Sequence, residues 1–114
     1  MSIIHKIGND GEDFALAYLK NNGLTLIYRN FHSRFGEIDL IMQDHDTTVF
    51  IEVKKRYSGI DNAIESISYT KQKKLVKTAQ FYLSKKGYDL NCRFDAIVID
   101  GNNHMEWLKN IIML

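Results

Sequence analysis

Three side chains near the middle of this sequence have the types and spacing to act on charged oxygen: Asp39 in GEIDLI, then Glu52 and Lys54 in FIEVKKR. Both segments alternate in character as strands do, so Asp39 shares a face with Glu37 and Ile41, and Glu52 shares one with Phe50 and Lys54. The polar tetrapeptide DHDT at 44–47 reads as a hairpin loop, which pairs 43 with 48, 41 with 50, 39 with 52 and 37 with 54. Asp39 and Glu52 then stand opposite one another with β-carbons roughly 5 Å apart, and like charges so placed destabilise a sheet unless something neutralises them. A divalent cation is the obvious neutraliser. Two carboxylates, a backbone carbonyl and waters make the oxygen shell that Mg²⁺ prefers, with Mn²⁺ as its substitute. Lys54, one pleat along, is placed to touch a metal-bound water or a phosphate oxygen. The ordinary alternative is a cross-strand ion pair of Lys54 with Glu37 or Glu52. Against it, Ile41 and Phe50 make this face half-buried, while Ile38, Leu40, Val49, Ile51 and Val53 already supply a complete apolar face on the other side.

The elements that must position these residues follow from periodicity. From Asp10 to Asn21, Phe14, Ala15, Ala17, Tyr18 and Leu19 recur at helical spacing, and Gly23 supplies the stop. LTLIYRN (24–30), GEIDLIMQ (36–43) and TVFIEVKKR (48–56) read as three strands, the last two antiparallel. A second helix is predicted over 70–86, with Leu75, Val76, Ala79, Tyr82 and Leu83 toward the core and Gly87 ending it, and a short helical turn over 61–67. RFDAIVID (93–100) is a further strand, GNN a turn, and 104–112 a final strand or irregular tail. The order is αβββαβ.

At 114 residues, 45% apolar and 25% charged, the chain fits a single domain, 1–114, with one core. Proline is absent, and no linker, repeat or low-complexity tract marks a boundary. The lone Cys92 excludes a disulfide framework and a thiolate zinc site, and it favours a reducing compartment. The N-terminal MSIIHKIGNDGED lacks the apolar core of a signal peptide, and no run is long enough to span a membrane, so the expected location is the cytoplasm. The net charge of +1 hides an asymmetry: residues 54–93 hold ten Lys/Arg against three acids, and the remainder holds five against eleven. A +7 segment beside a −6 one suits a polyanion that must approach carboxylates, although a solvated lysine-rich helix has the same composition.

GEIDLI followed after thirteen residues by EVK resembles the D…(E)xK signature of the PD-(D/E)XK nuclease superfamily. With Gly8, Gly11, Glu12, Ala15, Tyr18, Leu19, Arg29-Asn30, Lys71-Gln72 and Arg93-Phe94-Asp95, nearly the whole chain resembles the YraN-like family of small bacterial proteins, itself similar to archaeal Holliday-junction resolvases. The resemblance implies an α/β, restriction-endonuclease-like αβββαβ core in which a central mixed β-sheet is flanked by helices. It implies a metal-dependent endonuclease on nucleic acid, DNA above all and branched DNA by the resolvase similarity, and a symmetric homodimer presenting two sites. Asp39 and Glu52 become the metal ligands, Lys54 the residue that orients the attacking water, and Glu12 an additional acid from helix one. In that reading Lys71, Lys73, Lys74 and Lys77, with Arg29, Arg34, Lys55 and Arg56, hold the phosphate backbone by contacts that position without specifying sequence. Glu12 has a competing role at the positive end of the helix dipole, Gln72 as a surface side chain, and Asp95 as a structural partner of Arg93. His32 stands where a basic residue would be expected. Two further readings remain: a non-catalytic nucleic-acid-binding module with the same fold, and a protein-interaction domain whose acids are surface charge.

Overall fold

The structure, a computed structural model, describes residues 3–56, 68–86, 91–100 and 104–112, and the side chains of all of these but 3–10 and 56. The order of elements is α1 (Ile3–Asn21), β1 (Thr25–Ser33), β2 (Gly36–Asp44), β3 (Thr47–Arg56), α2 (Tyr69–Lys86), β4 (Asn91–Asp100) and β5 (Met105–Leu108). The five strands form one mixed sheet in sequence order. The β1/β2, β2/β3 and β4/β5 pairs are antiparallel, and the central β3/β4 pair is parallel. A parallel pair needs a long crossover, which is where α2 lies. The predicted helical turn at 61–67, the stop at Gly87 and the GNN turn fall outside the described residues.

Each helix covers one face. Ala15 and Leu19 of α1 pack with Leu40, Met42, Val49, Ile51, Ile97 and Ile99, while Leu75, Ala79 and Tyr82 of α2 pack with Ile38, Ile41, Phe50 and Phe94. Phe50 and Phe94, register partners across the parallel pair, stack with ring centroids 5.3 Å apart. Burial on both faces explains why β4 is buried without a break from Phe94 to Ile99, as parallel strands under helices usually are.

Three features differ from the sequence reading. The helix starts at Ile3, not Asp10, so Glu12 is well inside α1 and the role at the helix dipole is removed. Ile38 faces α2 together with Ile41, not α1 together with Leu40. Strict alternation therefore fails between them, beside Asn30 of the neighbouring strand, whose φ of 55° breaks the regular pleat of β1. The hairpin register is as expected from Gln43↔Thr48 to Leu40↔Ile51 and stops there. The expected pairings of 39 with 52 and 37 with 54 are not part of the ladder, because β2 and β3 separate at Asp39.

Candidate active site

The separation is where the site forms. Asp39 Oδ2 accepts the Val53 backbone N–H at 2.8 Å, so a carboxylate takes the place of the strand carbonyl that would have met that donor. Asp39 is thereby fixed in the gap between β2 and β3 rather than left to rotate. Glu52, only 8% exposed, stays on regular β3 and faces the α2 side, as does Lys54. Glu12 reaches the same region from the middle of α1. Its Oε1 is buried without a hydrogen bond among the described residues, with Arg29 Nε 3.6 Å away.

The electrostatics of this cluster are unbalanced. Burial, then the charge of Glu52, push the Asp39 carboxyl up from 3.8 to about 7; the Val53 N–H opposes this, and the charges of Glu12 and Glu37 add to it. Among the described residues two lysines meet Glu52, while Arg29 lies on Glu12 from the α1 side. Lys71 Nζ lies 2.7 Å from Glu52 Oε1, and Lys54 Nζ lies 3.7 Å from the same oxygen. Burial alone would depress Lys71, but its hydrogen bond to Glu52 and the nearby acids hold it above its ordinary value. Gly36, Glu37, Ser68, Thr70, Lys74 and Leu75 complete a cleft of about 370 Å³ around Asp39, Glu52 and Lys71.

The β1–β2 turn reaches this cleft because Gly36 allows it. Its φ of 147° belongs to glycine, and a β-carbon there would stand 3.2 Å from Thr78 Oγ1 and 3.6 Å from Lys74 Cβ on α2. Phe35 packs on Phe81 at 5.9 Å, and Arg34 lies over the Phe35 ring at 4.9 Å, which anchors the turn on the helix.

Among the described residues no group of three or more His, Cys, Asp and Glu stands ready as a metal-ligating set. The donors on offer are the pair Asp39 and Glu52, with Glu12 behind them. They fit a hard divalent ion that keeps most of its waters: all are carboxylates, Asp39 is destabilised by its acidic neighbours, and one Glu12 oxygen lacks a hydrogen bond.

The other residues singled out in the sequence are spread more widely. Glu37 pairs with exposed His32 at 3.1 Å instead of with Lys54. Arg29 is engaged by Glu12 and Asp13 of α1. The side chain of Lys55 points to the α1 side, where its Cδ lies 3.7 Å from a β-carbon built on Gly11, and that of Arg56 lies outside the described set. Lys71 and Lys74 line the cleft, whereas Lys73 and Lys77 flank a different groove. Asp95 is structural, as its reading as a partner of Arg93 had it: its carboxylate accepts Arg93 Nε, Trp107 Nε1 and Asn110 N. The sequence reading missed Gly36, Ser68 and Thr70, and it gave Lys71 to the phosphate backbone without seeing its contact with Glu52.

A family model described as "Uncharacterised protein family UPF0102" matches residues 11–99, a stretch that includes every residue of the cleft. A UPF0102 protein of Nitrosomonas eutropha is 47% identical over 111 residues, 96% of each chain. Another, of Herminiimonas arsenicoxydans, is 49% identical over 107 residues, 93% of this chain and 86% of its own. A third, of Neisseria gonorrhoeae, is 43% identical over 113 residues, 97% of this chain and 98% of its own.

Proposed function

We propose that this chain, which belongs to the uncharacterised protein family UPF0102, is a nuclease that hydrolyses phosphodiester bonds of nucleic acid, DNA first among them, with a divalent cation held by Asp39 and Glu52. The observation that carries this reading is the imbalance at Asp39. A carboxyl pinned by a backbone N–H between two diverging strands, and pushed up to about 7 by burial and by neighbouring acids, is poorly placed for stability and well placed for a cation. Mg²⁺ or Mn²⁺, when bound, supplies Lewis-acid stabilisation of charge on phosphate oxygen and a water of lowered pKa.

The chain's own residues do the remainder. Lys54, beside Glu52, orients the attacking water or a non-bridging phosphate oxygen, and Glu12 adds negative charge from α1 that favours the cation. Lys71 and Lys74 on the opposite wall draw the phosphate into the cleft. The Lys71 contact with Glu52 favours a second reading, a nucleic-acid-binding module without catalysis, in which the ammonium permanently neutralises the acid.

The two readings part in one experiment. Purified protein is incubated with labelled single-stranded, duplex and branched DNA and with RNA, in Mg²⁺, in Mn²⁺ and in chelator. Metal-dependent cleavage that disappears in Asp39→Asn and Glu52→Gln, with binding retained, is the expected result. Binding without cleavage under every metal condition leaves the second reading, and absence of both removes nucleic acid as the partner.

A further inference from the structure

The lysines of α2 divide between two sides of the helix. Lys71 and Lys74 face the acidic cleft, while Lys73 and Lys77 line a second groove of about 420 Å³. Along this groove Tyr69, Lys73, Val76 and Gln80 follow one another at intervals of three and four residues, with Gln72 and Lys77 beside them. They form one stripe of helix surface about 16 Å long. Val76 and Ile112 give it an apolar base, and none of the residues lining it is acidic.

Its chemistry is specific. Tyr69 is 71% exposed, more than any other large apolar side chain among the described residues, and Lys73 Nζ lies over its ring at 4.5 Å from the centroid. The ammonium rests on one face of the ring, and at this exposure the ring keeps surface for a flat group to stack on. An aromatic plane, two ammonium groups, two carboxamides and an apolar base together match a nucleotide: the plane stacks a base, the carboxamides meet its edge, and the ammoniums meet its phosphates. In a duplex the base faces are covered by their neighbours, so a ring of this kind selects an unpaired nucleotide.

We propose that this stripe binds an unpaired nucleotide of the strand whose phosphate enters the Asp39/Glu52 cleft, an inference that rests on the nucleic-acid reading of that cleft. Continuity supports it. Ser68, Thr70 and Lys71 face the cleft and Tyr69 faces the groove, so a strand crossing the first turn of α2 passes from one to the other. The substrate class then narrows to nucleic acid with a single-stranded element next to the scissile bond: an overhang, a flap or an unpaired junction arm.

Fluorescence anisotropy with the full chain in chelator tests this without cleavage, using a short labelled oligothymidylate and a blunt duplex of equal length. Tyr69→Ala should weaken oligothymidylate binding about tenfold and leave the duplex unchanged, because stacking of one base is lost. Tyr69→Phe should bind as the wild type does. Lys73→Gln with Lys77→Gln should weaken both ligands and flatten the salt dependence. Equal oligothymidylate affinity for wild type and Tyr69→Ala overturns the proposal, as does release of the oligonucleotide by polyglutamate at equal charge concentration, which would mark a general polyanion or acidic-peptide surface. If the wild type binds neither nucleic acid, the reading of the cleft fails and the stripe with it. Duplex binding and cleavage with an inert Tyr69 remove the stripe alone.

Discussion

Two aspartates sit in the same sheet and meet opposite treatment. Asp95 has a side chain with no exposed surface, and both its oxygens are used: Arg93 Nε at 3.1 Å from each, Trp107 Nε1 at 2.9 Å and Asn110 N at 2.9 Å. It ties β5 and the segment after it to β4, and a guanidinium matches its charge. Among the described residues Asp39 receives one backbone N–H, and the charges of Glu52, Glu12 and Glu37 act on it. One carboxylate is fully compensated, and the other is left in deficit by its own fold. Buried polar groups are normally satisfied, so a deficit kept in place by a specific hydrogen bond is what the proposed cation at Asp39 would relieve.

The sharpest way to break this comparison is to remove each carboxylate in turn. Asp95→Ala leaves Arg93, the Trp107 N–H and the Asn110 N–H without their acceptor, and a loss of about 4 kcal/mol is expected. Chemical denaturation measures it, and divalent metal should not restore it. A cost below that of an ordinary surface change would mean that Asp95 is not the tie described here.

Asp39→Asn should act in the other direction. The folded pKa of Asp39, about 7, lies above its unfolded value of 3.8, so the native state binds the extra proton between these limits. Its stability contribution is therefore greatest below pH 4 and is lost as pH rises to 7, with on the order of 4 kcal/mol as the limit for the full shift. Asn keeps an acceptor for Val53 N–H and carries no charge. The variant should gain about 3 kcal/mol at pH 8, flatten the decline between pH 4 and 7, and lose any stabilisation by Mn²⁺. A destabilised Asp39→Asn protein whose metal response matches the wild type would place Asp39 with Asp95 as a structural residue.

Much of this site was legible in the sequence, and the missing part has a physical reason. Alternation and a short polar loop sufficed to pair Ile41 with Phe50 and so to bring Asp39 near Glu52, since hairpin register follows from local chain geometry. The same rule extended one residue too far. It could not show that the Asp39 carboxylate would capture Val53 N–H and part the strands, because a side chain competing for a ladder donor leaves no periodic signature. Ile38 was assigned to the wrong face for the same cause. Lys71 was visible as charge, yet its contact with Glu52 spans the crossover between β3 and α2, and no spacing rule reaches across that distance. Gly36 carried a signal that went unread: a glycine opening a strand next to candidate ligands often marks a close backbone approach, here to Thr78.

That approach gives a prediction intermediate in size. Gly36→Ala places a β-carbon 3.2 Å from Thr78 Oγ1 at a φ of 147° that alanine avoids. Thr78 is fully buried and its hydroxyl donates to Lys74 O at 2.7 Å, so it has little freedom to retreat. A cost of about 2 kcal/mol is expected, with metal binding weakened as the turn lifts Glu37 and Asp39 from the cleft. Gly36→Ala combined with Thr78→Ser retains the hydroxyl and removes only a methyl, so it should not restore stability. Gly36→Ala with Thr78→Ala removes the blocking oxygen and should recover the packing part of the loss while the backbone part remains.

The smallest effect concerns Lys71 and bears most directly on whether the Asp39 deficit exists for a metal. Lys71 Nζ is 2.7 Å from Glu52 Oε1, on a carboxylate that the proposed cation would share with Asp39, and its side chain is 34% exposed. In the proposed site the ammonium and a divalent ion would compete for one carboxylate and would also repel each other. Full Coulomb energy at such distances reaches about 4 kcal/mol at an effective dielectric of 20, but solvent around a partly exposed lysine screens most of it. Lys71→Met, which keeps the apolar stem and removes the charge, should then tighten Mn²⁺ binding by roughly fivefold, about 1 kcal/mol, in calorimetric titration. Binding of nucleic acid in chelator should weaken in the same variant, because in the proposed function the ammonium also draws phosphate into the cleft. Weaker Mn²⁺ binding in Lys71→Met would mean that Lys71 positions Glu52 for the ion instead of competing with it. The absence of Mn²⁺ binding in wild type and variant alike would mean that the ammonium is the only cation Glu52 was shaped to hold.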